Sequence, residues 1–142
     1  MLIDKADILS GQVVVITGGA QGIGGAAATA FAGAGAKVYI IALGQETIEK
    51  KVEELRTYGC DAYGVECDVT DYPALCAAMA DCIKRYGRID LLYANAGVVL
   101  ERTSILESDP ALWEKTIKID MLGGYYAVRA ALPYMVQNPD GG

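Results

Sequence analysis

The 142-residue sequence contains no histidine. A Ser-His or Cys-His nucleophile pair therefore cannot form within these residues. The cysteines at positions 60, 67, 76 and 82 include no Cys-x-x-Cys pair, and no histidine is present to complete a zinc site with them. We expect four reduced thiols and no bound metal, with Cys76 and Cys82 filling one face of a helix.

Long apolar runs and an excess of positive charge are also absent. No apolar run approaches the length of a membrane span, and residues 1–7 lack a basic region followed by an apolar core. The formal net charge of −6 argues against nucleic acid or an anionic membrane as a partner. With 53% hydrophobic and 21% charged residues, the composition is that of one globular domain, which we expect to be cytoplasmic.

The most informative stretch is VVVITGGAQGIG, at residues 13–24. Its first residues are β-branched and predict a buried strand, the glycines predict a tight turn, and the Ala-rich run that follows predicts a helix. Gly18 permits a sharp exit from the strand, Gly22 lets backbone N–H groups approach a phosphate, and Gly24 permits close helix packing. A pyrophosphate would lie at the positive end of the helix; a simple tight turn is the alternative.

Strand and helix patterns alternate along the rest of the chain, after a short leader at 1–11. Strands are predicted at about 12–17, 37–42, 61–67 and 91–95, and helices at about 22–34, 45–57, 72–86 and 110–136. Each connection is long enough for a crossover, so we expect a parallel α/β sheet in the order 3-2-1-4 with helices on both faces. The large apolar residues of the last helix are predicted to be mostly core: Trp113, Ile117, Leu122, Tyr125, Val128, Leu132 and Met135.

The spacing Thr-Gly-x-x-x-Gly-x-Gly in residues 17–24 resembles the signature of the short-chain dehydrogenase/reductase family. Cys67-Asp68-Val69 and Asn95-Ala96-Gly97 resemble two later motifs of that family, so the likeness spans the chain. It implies a three-layer, doubly wound Rossmann-type fold, with 1–142 a truncated NAD(P)-binding domain of four strand–helix units. The cofactor-binding residues that it implies are Thr17, Gly18, Gln21, Gly22, Ile23, Gly24, Asp68, Val69, Asn95, Ala96, Gly97 and Arg129.

The family resemblance assigns particular tasks to Asp68, to the segment Asn95–Gly97 and to Arg129. Asp68 would hold the adenine amino group, although a helix-capping role is an equal alternative. The segment Asn95–Gly97 would pass close to the nicotinamide side of the cofactor. Arg129 lies where some relatives carry a basic residue associated with the cofactor, but a solvated helix residue is the preferred interpretation.

The choice between NAD and NADP depends on the position about twenty residues beyond the glycine loop. A carboxylate there accepts the ribose 2′-OH and repels a 2′-phosphate. Here the sequence is Ala42-Leu43-Gly44, with neither acid nor base, while Gln21 and Leu43 supply no cation to attract a phosphate. We predict NADP or NAD, with a slight lean to NADP.

Two departures from the family pattern concern catalysis. Asp120, in Ile119-Asp120-Met121-Leu122-Gly123, lies where relatives carry a catalytic asparagine, but an ionised carboxylate cannot donate a hydrogen bond as an amide can. A polar residue at a helix kink is the alternative. The Ser and Tyr-x-x-x-Lys of the family are not found, since none of the nine tyrosines begins that sequence. The nearest pair, Tyr125 and Arg129, falls in the last helix.

The resemblance implies hydride transfer between NADP(H) or NAD(H) and a small-molecule alcohol or carbonyl. The sequence does not identify that substrate. The turn-rich residues 138–142 suggest a chain cut in mid-fold, so we expect the 142 residues alone to be inactive and marginally stable or self-associating. A homo-oligomer through helix 110–136 is expected. A non-catalytic relative that binds a dinucleotide or a protein partner, and a domain that merely retains the fold, are the alternatives.

Overall fold

The computed structural model describes residues 8–142. The predicted leader falls partly on residues 1–7, which lie outside the described residues. In chain order the elements are β1 (Val13–Thr17), α1 (Gly22–Gly33), β2 (Lys37–Ala42), α2 (Gln45–Thr57), β3 (Ala62–Glu66), α3 (Tyr72–Tyr86), β4 (Leu91–Ala94), α4 (Pro110–Ile117), a π-helical segment (Lys118–Leu122) and α5 (Gly123–Met135).

The four strands form one parallel sheet in the order β3-β2-β1-β4, which confirms the predicted topology. Thr17 at the end of β1 is in register with Ile41 of β2 on one side and Ala94 of β4 on the other. Because every strand runs in the same direction, all four carboxyl ends meet at a single edge of the sheet. Strand order reverses at β1, the usual place for a ligand crevice in such sheets.

Both faces of the sheet are covered, as the apolar runs predicted. Alternate residues of β1 face opposite cores: Val13 and Val15 pack with α3 and α5, while Val14 and Ile16 pack with α1 and α2. The stripe predicted for α2 is fully confirmed, and its members, Ile48, Val52 and Leu55, are buried.

The last helix packs differently from the prediction. The buried residues of α5 are all small, namely Gly123, Ala127, Ala130 and Ala131. Tyr126 and Tyr134 are partly buried against the same core. Small side chains let this helix lie close to β4 and α3. Met135 packs against the core, whereas the other predicted core residues are exposed: Trp113, Ile117, Leu122, Tyr125, Val128 and Leu132. For those six the prediction is wrong.

The predicted helix 110–136 is interrupted by the π-helical segment. The Asp109 carboxylate caps its start by accepting a hydrogen bond from Ala111 N–H at 2.8 Å, with Pro110 in the first turn. At Lys118–Leu122 the helix widens before α5 resumes at Gly123. Such segments often occur at functional sites, and this one contains Asp120.

Within residues 8–142, no helix is both long and apolar enough to cross a membrane. The same range holds no group of three metal-ligating side chains, and its four cysteines are free. On α3, Cys82 is fully buried and Cys76 is half-buried against the same core, as predicted for a helix face.

Candidate functional site

A cleft of about 590 Å³ lies at the carboxyl edge of the sheet, over the end of β1. The glycine loop forms one wall, and the segments after β2, β3 and β4 form the others. Of the twelve predicted cofactor residues, ten line this cleft: Gly18, Gln21, Gly22, Ile23, Gly24, Asp68, Val69, Asn95, Ala96 and Gly97. The two that do not are Thr17 and Arg129.

Close packing requires two of the loop glycines. Gly18 has a φ of +68°, and a Cβ there would lie 3.0 Å from Ala96 Cα and 3.0 Å from Asn95 Nδ2. A Cβ at Gly24 would overlap the Gly18 carbonyl oxygen and the Asn95 side-chain amide. Any larger residue at position 24 would therefore push α1 away from the loop.

Gly22 has a different reason to be glycine. Its φ is +56°, and a Cβ there would meet no atom within 4 Å, so the surrounding space is open cleft. Gln21, the N-cap residue of α1, makes no side-chain capping hydrogen bond. The first N–H groups of α1 consequently have no side-chain acceptor from the cap and face the cleft as donors.

Thr17 supports the site from beneath instead of lining it. Its side chain is 2% exposed, and its hydroxyl oxygen accepts hydrogen bonds from the backbone N–H groups of Asn95 (3.0 Å) and Ala96 (3.1 Å). The Asn95 side-chain amide donates in return to the Thr17 carbonyl at 3.1 Å. These three bonds fix the end of β4 against the end of β1, so Thr17 is a positioning residue.

Asp68 does not cap α3, although capping was the alternative predicted for it; the capping residue is Asp71. Asp71 caps α3 by accepting from Ala74 N–H at 3.0 Å, whereas Asp68 Oδ1 accepts from Thr70 N–H at 2.8 Å. Asp68 is exposed in the cleft, and its Oδ2 accepts no hydrogen bond among the described residues. One carboxylate oxygen is therefore directed to the turn, and the other is available to a ligand.

Cys67 also lines the cleft, next to Asp68. Burial, followed by the charges of Asp71 and Asp68, raises the pKa of the Cys67 thiol to about 11. The thiol is therefore protonated at neutral pH and is a poor nucleophile.

A carboxylate that the sequence analysis missed lies beside the end of β2 and belongs to Glu66 of β3. The Gly44 backbone N–H donates a 2.7 Å hydrogen bond to Glu66 Oε1. Glu66 is the last residue of β3 and is paired in register with Ala42 of β2. The acidic group expected within positions 42–44 is absent there, but the neighbouring strand supplies one. Finding Glu66 from the sequence would have required the register of β2 and β3, which the strand patterns do not give.

Asp120 connects the π-helical segment to the chain that follows β4. Its Oδ1 accepts a hydrogen bond from Val98 N–H at 2.8 Å. Asp120 lines a second cavity of about 440 Å³, whose apolar wall includes Ile105, Leu112 and Trp113. Val98 and Leu100 line both cavities, so the two are adjacent.

Arg129 is not brought to the cleft. It is exposed on α5, one turn after Tyr125, and it does not line either cavity. This position agrees with the interpretation of Arg129 as a solvated helix residue.

Comparison with known proteins decides the family. Residues 12–142 match the family model described as short chain dehydrogenase. The chain belongs to the short-chain dehydrogenase family. It is 37% identical over 136 residues to trans-4-hydroxycyclohexanecarboxylate dehydrogenase of Sinomonas cyclohexanicum, covering 92% of this chain and 52% of that protein. It is 31% identical over 135 residues to 3beta-hydroxysteroid dehydrogenase 2 of Eggerthella lenta, covering 95% and 52%.

Solved structures agree with this short-chain dehydrogenase fold. The crystal structure of gox2181 is 33% identical with a TM-score of 0.88, covering 94% of this chain and 52% of that one. Carveol dehydrogenase from Mycobacterium avium in complex with NAD has a TM-score of 0.85 at 24% identity, a likeness of fold, covering 89% and 50%. The chain thus spans about half the length of these relatives.

Proposed function

We propose that this chain is the dinucleotide-binding part of an oxidoreductase that transfers a hydride between NAD(H) or NADP(H) and an alcohol or carbonyl compound. The observation that carries the proposal is the cleft at the strand-order switch, where the glycine loop, Asp68 and Asn95–Gly97 converge. Family membership supports the reaction class. We also propose a cytoplasmic location, which four free thiols support.

The residues present suit a dinucleotide. The open space at Gly22 and the N-terminus of α1 would hold the pyrophosphate, because backbone N–H groups and the helix dipole both favour an anion there. The available oxygen of Asp68 would accept from the adenine amino group. Asn95–Gly97, fixed by Thr17, would lie on the nicotinamide side. When bound, the nicotinamide ring supplies or accepts the hydride.

The adjacent 440 Å³ cavity would hold the carbon skeleton of the substrate. Its wall contains Ile105, Leu112 and Trp113, and it adjoins the cleft at Val98 and Leu100, which line both cavities. Two relatives are named for ring compounds, a hydroxycyclohexanecarboxylate and a 3beta-hydroxysteroid. These names and the apolar wall support an alicyclic alcohol or ketone.

The test is cofactor binding by the purified chain. NADH and NADPH are titrated separately into wild type, and binding is followed by calorimetry and by the emission of the bound dihydronicotinamide. We expect saturable binding of at least one of them. If a cooperatively folded chain binds neither, the proposal fails.

A second candidate is dinucleotide binding without a redox step. It is favoured by Asp120, which stands where the family carries an asparagine and whose ionised carboxylate cannot donate a hydrogen bond as an amide can. Hydride transfer to an alicyclic ketone, measured as loss of dihydronicotinamide absorbance, separates the two. Turnover would exclude this second candidate, and binding of the dinucleotide without turnover would support it.

We further propose that a second copy of the chain covers the outer face of the last helix. The large apolar residues exposed along this helix include Ile117, Leu122, Tyr125, Val128 and Leu132, and the side chain of Tyr125 is 60% exposed. Clusters of exposed apolar residues commonly mark association sites in soluble proteins. A homo-oligomer through helix 110–136 would bury them.

A further inference from the structure

We infer that Glu66 makes this site select NAD(H) over NADP(H), an inference that rests on the dinucleotide binding proposed above. The feature that carries it is the 2.7 Å hydrogen bond from the Gly44 N–H to Glu66 Oε1. The slight lean to NADP came from the absence of an acid at positions 42–44. Glu66 supplies that acid from another strand.

The position of Glu66 is fixed by strand register. It pairs with Ala42, the last residue of β2, and both strands end at the edge that bears the cleft. The adjoining Ala42 and Leu43 line the cleft itself. In folds of this topology the adenosine ribose lies at the end of β2. The carboxylate is thus beside the place where the 2′ substituent of the ribose would be.

The hydrogen bond also occupies a donor that a phosphate would need. A 2′-phosphate carries a charge of about −1.5 to −2 and is bound through N–H groups and cations. Here the Gly44 N–H already faces a carboxylate, so a 2′-phosphate would meet negative charge. A 2′-OH can instead donate to the same carboxylate, as acidic residues of dinucleotide sites do.

No described cation neutralises Glu66. The ion pairs within residues 8–142 join Lys37 to Asp61, Lys51 to Glu54 and Arg88 to Asp90. Lys115, on α4, lines the cleft but forms neither an ion pair nor a hydrogen bond with Glu66. Gln45, which follows Gly44, donates to Glu49. The charge beside Gly44 therefore remains negative.

The test compares binding of NADH and NADPH by wild type and two variants. Glu66→Gln keeps the side-chain length and an acceptor for Gly44 N–H but removes the charge. Glu53→Gln removes the same charge from an exposed position on α2 and is the matched control. Adenosine 5′-monophosphate and adenosine 2′,5′-bisphosphate are titrated as well, so that the 2′-phosphate is examined without the nicotinamide.

Wild type should bind NADH about tenfold more tightly than NADPH, and Glu66→Gln should reduce that ratio about fivefold, chiefly by improving NADPH binding. The adenosine ligands should show the same trend. The wild-type ratio should shrink as salt is added, because an exposed charge is screened. The Glu53→Gln ratio should equal that of wild type.

Several outcomes would overturn the inference. Tighter binding of NADPH than NADH by wild type would do so, as would a ratio that Glu66→Gln leaves unchanged or that Glu53→Gln changes equally. In each of these cases both cofactors bind and the proposed function stands. If the folded chain binds neither cofactor, the proposed function fails and the selectivity assigned to Glu66 fails with it.

Discussion

Asp120 and Val98 join the π-helical segment to the chain that follows β4, through the 2.8 Å hydrogen bond from the Val98 N–H to Asp120 Oδ1. A Cβ on the neighbouring Gly97 would lie 3.3 Å from the same carboxylate oxygen. One side chain of the last helix thereby holds the segment that separates the two cavities. We expect the shape of that segment to depend on an acceptor at position 120.

Asp120→Ala should release this segment. The variant loses the acceptor for Val98 N–H, and we expect its free energy of unfolding to fall by about 1 kcal/mol. Amide hydrogen exchange at Val98 should become faster, while exchange in β1 stays slow.

Asp120→Asn is the matched control, because its side-chain carbonyl can accept the same hydrogen bond. Exchange at Val98 should remain close to that of wild type. If Asp120→Ala and Asp120→Asn exchange at equal rates, the hydrogen bond does not hold the segment.

Gly24→Ala should damage the glycine loop. The added methyl group would overlap the Gly18 carbonyl oxygen and the Asn95 amide, which neighbour the Thr17 network. We expect destabilisation of about 1–3 kcal/mol, typical of overpacking, and loss of dinucleotide binding. Thermal unfolding and cofactor titration measure the two effects.

Gly33→Ala controls for the loss of a glycine from the same helix. A Cβ at Gly33 would meet no atom within 4 Å. Because alanine is the better helix former, we expect stability to be unchanged or to rise by up to about 1 kcal/mol, with normal binding. Equal damage from both substitutions would contradict the close-packing role of Gly24.

Sequence periodicity predicted the elements well because the chain repeats one strand-and-helix pattern. The bounds of β2 and α2 are those predicted. The unbroken apolar run of β2 fits only a buried strand, and the stripe Ile48, Val52 and Leu55 fits only an amphipathic helix. Periodicity could not show that the apolar face of the last helix is uncovered, because it marks a face but not its partner. It also could not reveal the contact between Glu66 and Gly44, which depends on the register of β2 and β3.

Alkaline pH should destabilise the fold. Burial and the hydrogen bond to Asp81 raise the pKa of Tyr39 above its ordinary value, burial and the Asp61 charge raise that of Tyr86, and burial raises that of Cys82 to about 12. The unfolded chain therefore loses these protons first as pH rises. Stability from these groups is complete below about pH 8 and declines from about pH 9 to 12. Urea unfolding at a series of pH values between about 8 and 12 measures how the free energy of unfolding declines.

Tyr39→Phe should make that decline shallower. The variant removes one of the groups with a raised pKa, although it also costs about 1 kcal/mol at neutral pH because Asp81 loses its 2.7 Å donor. Tyr58→Phe, at an exposed tyrosine, should leave the pH profile as in wild type. A Tyr39→Phe profile as steep as wild type would rule out Tyr39 as a contributor.

Thiol reactivity should follow burial. Cys76 is half-buried, whereas Cys60, Cys67 and Cys82 are buried and burial raises the pKa of each. Iodoacetamide applied to the native chain should therefore modify Cys76 first and Cys82 last, and mass spectrometry of peptides would give the order. Cys76→Ser should remove the fast phase. Early labelling of Cys82 would show that α3 opens more readily than its packing implies.

The outer face of the last helix should control self-association. Val128 and Leu132 lie one turn apart on α5 and are each close to half exposed, so a charge at either would be buried without a partner if a second copy packs there. Val128→Glu and Leu132→Glu should each shift the chain to a smaller species in sedimentation, because each raises the dissociation constant of the oligomer about tenfold or more.

Ala80→Glu, on the exposed side of α3, introduces the same charge away from this face and should leave association unchanged. Because Val128 and Leu132 are exposed and do not belong to the buried core, both variants should remain folded. An unchanged sedimentation profile would place the interface elsewhere.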